Sequence, residues 1–125
     1  MYPSIQKIET PTPLQIELAR ETRENISTIL RTMLTRLDAD EDMAVYHFTG
    51  TETIKVAQLI FRGTHLVMVV GEDAKSNFTI SICHLDAINL TCKIVKLAKN
   101  EPRKLAIGFI SQDDPTADIG KALLR

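Results

Sequence analysis

TPLQIELARETRENISTILRTMLTRLDAD, residues 12–40, is the longest stretch of the chain that follows a single periodicity. Its apolar residues recur at the three- and four-residue spacing of an amphipathic helix, and charged side chains fill most of the other positions. Thr12 is a good N-cap, a proline follows at the first helical position, and Gln15 completes a capping box. The pattern predicts one long helix that ends near Leu37 or Asp38.

The chain after this helix is dominated by short stretches with the marks of β-strands. Residues 53–62 are rich in β-branched side chains, although Gly63 would also suit the end of a helix. A strand is favoured there because a turn then leads directly into the next apolar run. The clearest strand is the one in which Phe78, Ile80 and Ile82 alternate with small or polar residues. The predicted strands cover residues 43–50, 53–62, 66–71, 77–84 and 103–111.

Residues 87–99, AINLTCKIVKLAK, fit two structures. As a strand they alternate well at first, but the alternation breaks at residues 95–97. As a helix, at about 100° per residue, they place the apolar side chains on one half of the wheel and three lysines on the other. The helix is favoured, with Asp86 as its N-cap and Pro102 beyond its end, and the strand is kept as the alternative.

These elements predict an α+β fold. A long N-terminal helix precedes an antiparallel or mixed sheet of about five strands, which a second helix and a short C-terminal helix cover. Residues 1–11 contain two prolines and no clear period, so we expect an extended N-terminal arm. Residues 12–125 are expected to form a single domain, which suits a chain of 125 residues.

Composition and charge exclude several classes of protein. The formal net charge is −1, whereas dedicated nucleic-acid binders usually carry a large basic excess. No apolar run approaches the length of a membrane span, and no secretory signal precedes the helix, so no membrane partner is expected. Two cysteines without a signal favour a reducing compartment, and we expect a cytoplasmic protein.

The segment Cys83–Cys92 contains both cysteines of the chain, one of its three histidines and an aspartate. A zinc site needs a second pair of ligands that this spacing does not provide. On the strand interpretation Cys83 and His84 point to opposite faces. We therefore expect core and turn residues here, with no metal, no cofactor and no catalytic residue. A small enzyme that uses His47, His65 or His84 is the weakest of three functional hypotheses.

One basic patch stands out from the background. It lies within twelve residues, opposed only by Glu101, and consists of Lys93, Lys96, Lys99, Arg103 and Lys104. If residues 87–99 are helical, the three lysines share one solvent-facing arc that can bind a phosphate backbone or an acidic protein. No aromatic residue lies between them, which weakens a stacking mode. A nucleic-acid-binding regulator is therefore the alternative and not the favoured function.

The favoured function is a non-enzymatic interaction module, either an adaptor, a chaperone-like protein or a regulator. No motif in the sequence carries recognisable catalytic chemistry. The first helix is long for so small a domain, which suggests that it also packs on a partner. Two-fold dimers are the commonest assemblies, so a homodimer is expected, alongside a protein partner of unknown identity. The candidate interface residues on this helix are Ile26, Leu30, Met33 and Leu37.

Overall fold

The computed structural model describes residues 10–104 and 107–111. These residues form one α-helix, six strands and a 3-10 turn at residues 85–87, so the α+β class is confirmed. The expected N-terminal arm, apart from residues 10 and 11, and the expected C-terminal helix lie outside the described residues. The elements are α1 (Pro13–Thr35), β1 (Glu41–Phe48), β2 (Thr53–Arg62), β3 (Leu66–Glu72), β4 (Phe78–His84), β5 (Thr91–Lys96) and β6 (Gly108–Ser111).

Helix α1 begins with the capping box that its sequence predicts. The Thr12 hydroxyl accepts a hydrogen bond from the Gln15 amide at 3.2 Å, and the Gln15 side chain accepts one from the Thr12 amide at 2.9 Å. The helix ends at Thr35, slightly earlier than predicted, because the Arg36 amide donates to the Met33 carbonyl three residues back. This tighter last turn satisfies a terminal carbonyl and directs the chain toward β1.

The six strands form one sheet, and five of them follow the order β4-β3-β2-β1-β5, in which all neighbours are antiparallel. Strand β1 pairs only with the first three residues of β2, Thr53–Lys55. Further along β2, strand β6 pairs with residues Gln58–Phe61 and runs parallel to them. The sheet is therefore mixed, as one of the two alternatives predicted, and has one strand more than expected.

Residues 53–62 form strand β2, as predicted. Val56 pairs with Gly71 and Gln58 pairs with Val70, so Ala57 is an extra residue that bulges from the ladder. Beside the bulge, β3 approaches β2 closely. A Cβ atom at Gly71 would lie 1.9 Å from the Lys55 carbonyl oxygen. Only glycine fits at this position, because any larger residue would have to displace backbone.

The prediction of a helix over residues 87–99 is wrong. Residues Thr91–Lys96 form strand β5, and all six pair with β1, from Tyr46↔Thr91 to Glu41↔Lys96. The hydrophobic pattern fitted both structures, so the available partner decided between them. Strand β1 offers a free edge to this segment, whose isoleucine, threonine and valine favour a strand and weaken a helix. Asp86 lies in the 3-10 turn and caps no α-helix.

The core lies between α1 and one face of the sheet, which we call the helix-side face. The opposite face of the sheet is called the outer face. Among the described residues, no helix is long and apolar enough to cross a membrane. The buried residues of the core are Ala19, Leu30, Met43, Val45, Val56, Leu59, Phe61, Val67, Val69 and Leu85.

Candidate functional site

The segment Cys83–Cys92 is divided between the two edge strands of the sheet. Cys83 lies on β4 and Cys92 on β5, and both are free and packed against the core. Burial raises the pKa of each thiol, which keeps the reactive thiolate scarce at neutral pH. Asp86 is almost fully exposed. Within the described ranges, no three histidine, cysteine or acidic side chains form a group that could hold a metal ion.

The three histidines occupy two separate places. His47 is buried on β1, with its Nδ1 atom 3.0 Å from the Asn89 carbonyl oxygen. The Asn89 amide also exchanges two hydrogen bonds of 3.0 Å with the Phe48 backbone. These contacts hold the loop before β5 against the end of β1, and His47 contributes to this packing through its contact with the Asn89 carbonyl.

His65 and His84 lie together, His65 directly before β3 and His84 at the end of β4. Their rings stack with centroids 5.4 Å apart, and His84 Nδ1 lies 3.6 Å from a carboxylate oxygen of Asp86. The Asp86 amide donates to the same His84 nitrogen at 3.4 Å, which caps the 3-10 turn. Both rings are exposed to solvent. The structure thus brings two of the three histidines together and leaves the third apart from them.

The basic patch does not form one arc, because its middle is a strand. Lys93 and Lys96 point to opposite faces of β5. The Lys93 ammonium lies 5.5 Å from the centroid of the Tyr46 ring. Lys96 forms ion pairs of 3.2 Å with Asp40 and 3.8 Å with Glu41. The hydrogen bond from Lys96 to Asp40 raises the pKa of this lysine.

The rest of the patch holds the chain after β5 against residues 38–42, which lead into β1 and form its first two positions. Arg103 donates from Nε to the Glu41 carbonyl at 2.8 Å and from Nη2 to the Asp38 carbonyl. The Lys104 amide donates to the buried Asp42 carboxylate at 2.9 Å. Lys99 is exposed. Much of the positive charge in this region is therefore directed at neighbouring acidic side chains and backbone carbonyls.

The four candidate interface residues, three on α1 and Leu37 just beyond its end, face the core of the same chain. Leu30 is 4% exposed, and Ile26, Met33 and Leu37 are half-buried against the core cluster. A different flank of the helix exposes apolar side chains to solvent. Its members are Leu14, Leu18 and Ile29, which lie within about 60° of one another at 100° per residue.

A row of exposed apolar side chains on β4 was missed by sequence reasoning. Phe78, Ile80 and Ile82 are 60%, 42% and 67% exposed. Strand β4 turns its small residues inward: Cys83 pairs with the fully buried Val67 on the helix-side face. The isoleucines consequently lie on the outer face. The alternation was visible in the sequence, but alternation alone does not tell which of its two faces is buried.

Strand β4 is also an edge of the sheet as far as the structure describes the chain. Leu66 on the neighbouring strand β3 is 43% exposed and pairs with His84, so it extends the same apolar row. We call Leu66, Phe78, Ile80 and Ile82 the β4 apolar row. An exposed apolar edge strand is a template for pairing with another chain.

The chain matches no protein-family model, and comparisons with curated proteins and with solved structures give no match either.

Proposed function

We propose that the protein is a non-enzymatic interaction module that acts as a homodimer. The observation that carries the proposal is the β4 apolar row, whose four exposed large hydrophobic side chains lie on and beside a strand that is an edge of the sheet as far as the structure describes the chain. Contiguous exposed apolar surface commonly marks an interaction site. Association would remove this surface from water, with a gain of about 25 cal/mol per Å² of apolar area.

We also place this homodimer in the cytoplasm. Its two cysteines are free, and both are packed against the core. A reducing compartment keeps such thiols from forming disulfides. The regulatory or adaptor role follows from the same proposal, since a dimer without catalytic chemistry acts through what it binds.

The test is size-exclusion chromatography coupled to light scattering, at low and at high salt, with absorbance read at 260 and 280 nm. We expect a mass of twice the 14.0 kDa chain that changes little with salt, because apolar contacts are not screened by ions. A mass of one chain at all concentrations would contradict the homodimer. A high 260/280 ratio that falls in high salt would instead favour the nucleic-acid alternative, since phosphate contacts weaken with salt.

A further inference from the structure

The ends of β1 and β4 share an open cavity of about 410 Å³, which we call the β1–β4 cavity. It is lined by residues 81–83 of β4, by residues 47–50 at the end of β1, and by residues 87 and 89 of the connection to β5. Small-molecule sites commonly have volumes of about 300–1,000 Å³. The β1–β4 cavity is therefore large enough for a small ligand, and its wall decides which kind.

Ile82 contributes its backbone groups to this wall. At one end of the β3–β4 ladder the Asp73 amide donates to the Asn77 carbonyl at 3.0 Å, and at the other end the Leu85 amide donates to the His65 carbonyl. Hydrogen-bonded pairs alternate with non-hydrogen-bonded pairs along an antiparallel ladder, so the even-numbered residues of β4 direct their N–H and C=O groups away from β3. No described strand pairs with β4 on that side. Ile82 thus offers the cavity one donor and one acceptor.

His47 contributes a second acceptor. Its Nδ1 atom lies 3.0 Å from the Asn89 carbonyl oxygen, which can only accept, so Nδ1 carries a proton. In the neutral ring the other nitrogen, Nε2, is then an acceptor. No described residue donates to Nε2, although the side chain is only 2% exposed. Because an unpaired buried acceptor is costly, a ligand that donates to Nε2 is favoured.

The wall of the β1–β4 cavity carries no acidic, lysine or arginine side chain among its described residues. Cys83 is part of the wall, and burial raises the pKa of its thiol, which keeps this side chain uncharged at neutral pH. An ionised ligand would lose its hydration here without gaining an ion-pair partner. The cavity therefore selects an uncharged ligand that forms hydrogen bonds.

We infer that the β1–β4 cavity binds a small, uncharged molecule that carries a primary carboxamide. A primary carboxamide has two N–H donors and one carbonyl acceptor, and the wall offers the complement: the Ile82 N–H, the Ile82 carbonyl and His47 Nε2. The carboxamide exchanges two hydrogen bonds with Ile82, as two residues of a hydrogen-bonded strand pair do, and gives its second N–H to His47. The site uses the backbone of Ile82 and not its side chain, so it does not depend on the proposed homodimer.

The probe is benzamide, titrated into the full chain and followed by two-dimensional ¹H–¹⁵N NMR. So small a compound makes few contacts, and we expect a dissociation constant of about 1–10 mM. The Ile82 amide proton should shift downfield as it donates to the carbonyl of the probe, whereas the amide of Ile94 on the other edge strand should not move. No binding at about 20 mM, or binding that leaves the Ile82 amide unchanged, would overturn the inference.

Two matched compounds test the chemical class without changing the protein. N-methylbenzamide keeps the ring and the carbonyl but loses one N–H donor, and benzoate loses both donors and carries a negative charge. Leaving one buried acceptor unpaired should weaken binding about tenfold for N-methylbenzamide, and benzoate should bind more weakly still. Equal binding of all three compounds would overturn the carboxamide as the recognised group.

A pair of identical substitutions tests the place of binding. Ala87 lines the cavity, whereas Ala74 lies in the turn between β3 and β4 and is not among the described lining residues. Both alanines are exposed, so both leucine variants should fold, which the NMR spectrum checks. We expect Ala87→Leu to fill the cavity and abolish benzamide binding, and Ala74→Leu to leave it unchanged. Unchanged binding by Ala87→Leu would overturn the cavity as the site.

His47→Asn tests the second acceptor. Asparagine places an N–H donor near the position of Nδ1, so it keeps the bond to the Asn89 carbonyl and removes Nε2. We expect benzamide to bind about tenfold more weakly, while the Ile82 amide still shifts at saturation. An affinity equal to that of the wild type would overturn the assignment of His47 to the site.

Discussion

Replacing Gly71 with alanine should be among the most damaging single-methyl additions to this protein. The new Cβ would lie 1.9 Å from the Lys55 carbonyl oxygen and 2.8 Å from its carbon. To reach an ordinary contact of 3.4 Å, the carbonyl would have to retreat by about 1.5 Å. Overpacking costs about 1–3 kcal/mol where side chains can yield. Here backbone beside a bulge must move, so we expect a loss of about 4 kcal/mol or more.

Gly63→Ala is the matched control for this loss. Gly63 has a φ of +61°, and no atom lies within 4 Å of its Cβ position. Its substitution therefore adds only left-handed backbone strain, about 1–2 kcal/mol. Urea unfolding followed by far-ultraviolet circular dichroism, at one protein concentration, measures both losses. If Gly71→Ala costs no more than Gly63→Ala, strands β2 and β3 can separate freely, and the close approach does not constrain this position.

Two further predictions concern polar side chains. Asp73 accepts hydrogen bonds from the Asn77 and Lys75 amides, and the bond from Asn77 is the main cause that lowers the pKa of its carboxyl. A depressed pKa stabilises the fold above the unfolded pKa, and that contribution is lost as pH falls through the folded value. Asp73→Ala should therefore reduce the free energy of unfolding at neutral pH, and the difference from wild type should shrink as pH falls below the unfolded pKa of about 3.9 toward the lower folded value; a difference that stays constant as pH falls through this range would refute this. Gln58 is 2% exposed and its amide finds no hydrogen-bond partner among the described residues. Gln58→Met should raise the free energy of unfolding by about 1–3 kcal/mol, because a buried unpaired amide costs that much, and a destabilised variant in the same urea assay would mean that the amide is paired in solution.

The sequence by itself determined the elements whose signals are local. The start of α1 is specified by Thr12 and Gln15, which form hydrogen bonds to each other within one turn. These bonds need no other part of the chain. Strand β2 was likewise predictable from its β-branched residues and the turn that follows it. In both cases the preference of the segment and the demand of the fold agree, which is the condition under which sequence reasoning succeeds.

Only the tertiary structure decided the nature of residues 91–96 and the exposed face of β4. By periodicity this segment fits both structures, with the helix favoured, and the free edge of β1 selected the strand. Alternate residues of a strand face opposite sides of the sheet. The lysines therefore do not share the single solvent-facing arc on which the nucleic-acid alternative depended. For β4, both faces can be buried in principle. Val67 and α1 occupy one side, so Ile80 and Ile82 are left on the outer face. Periodicity records which residues share a face, whereas burial depends on what packs against that face from distant parts of the chain.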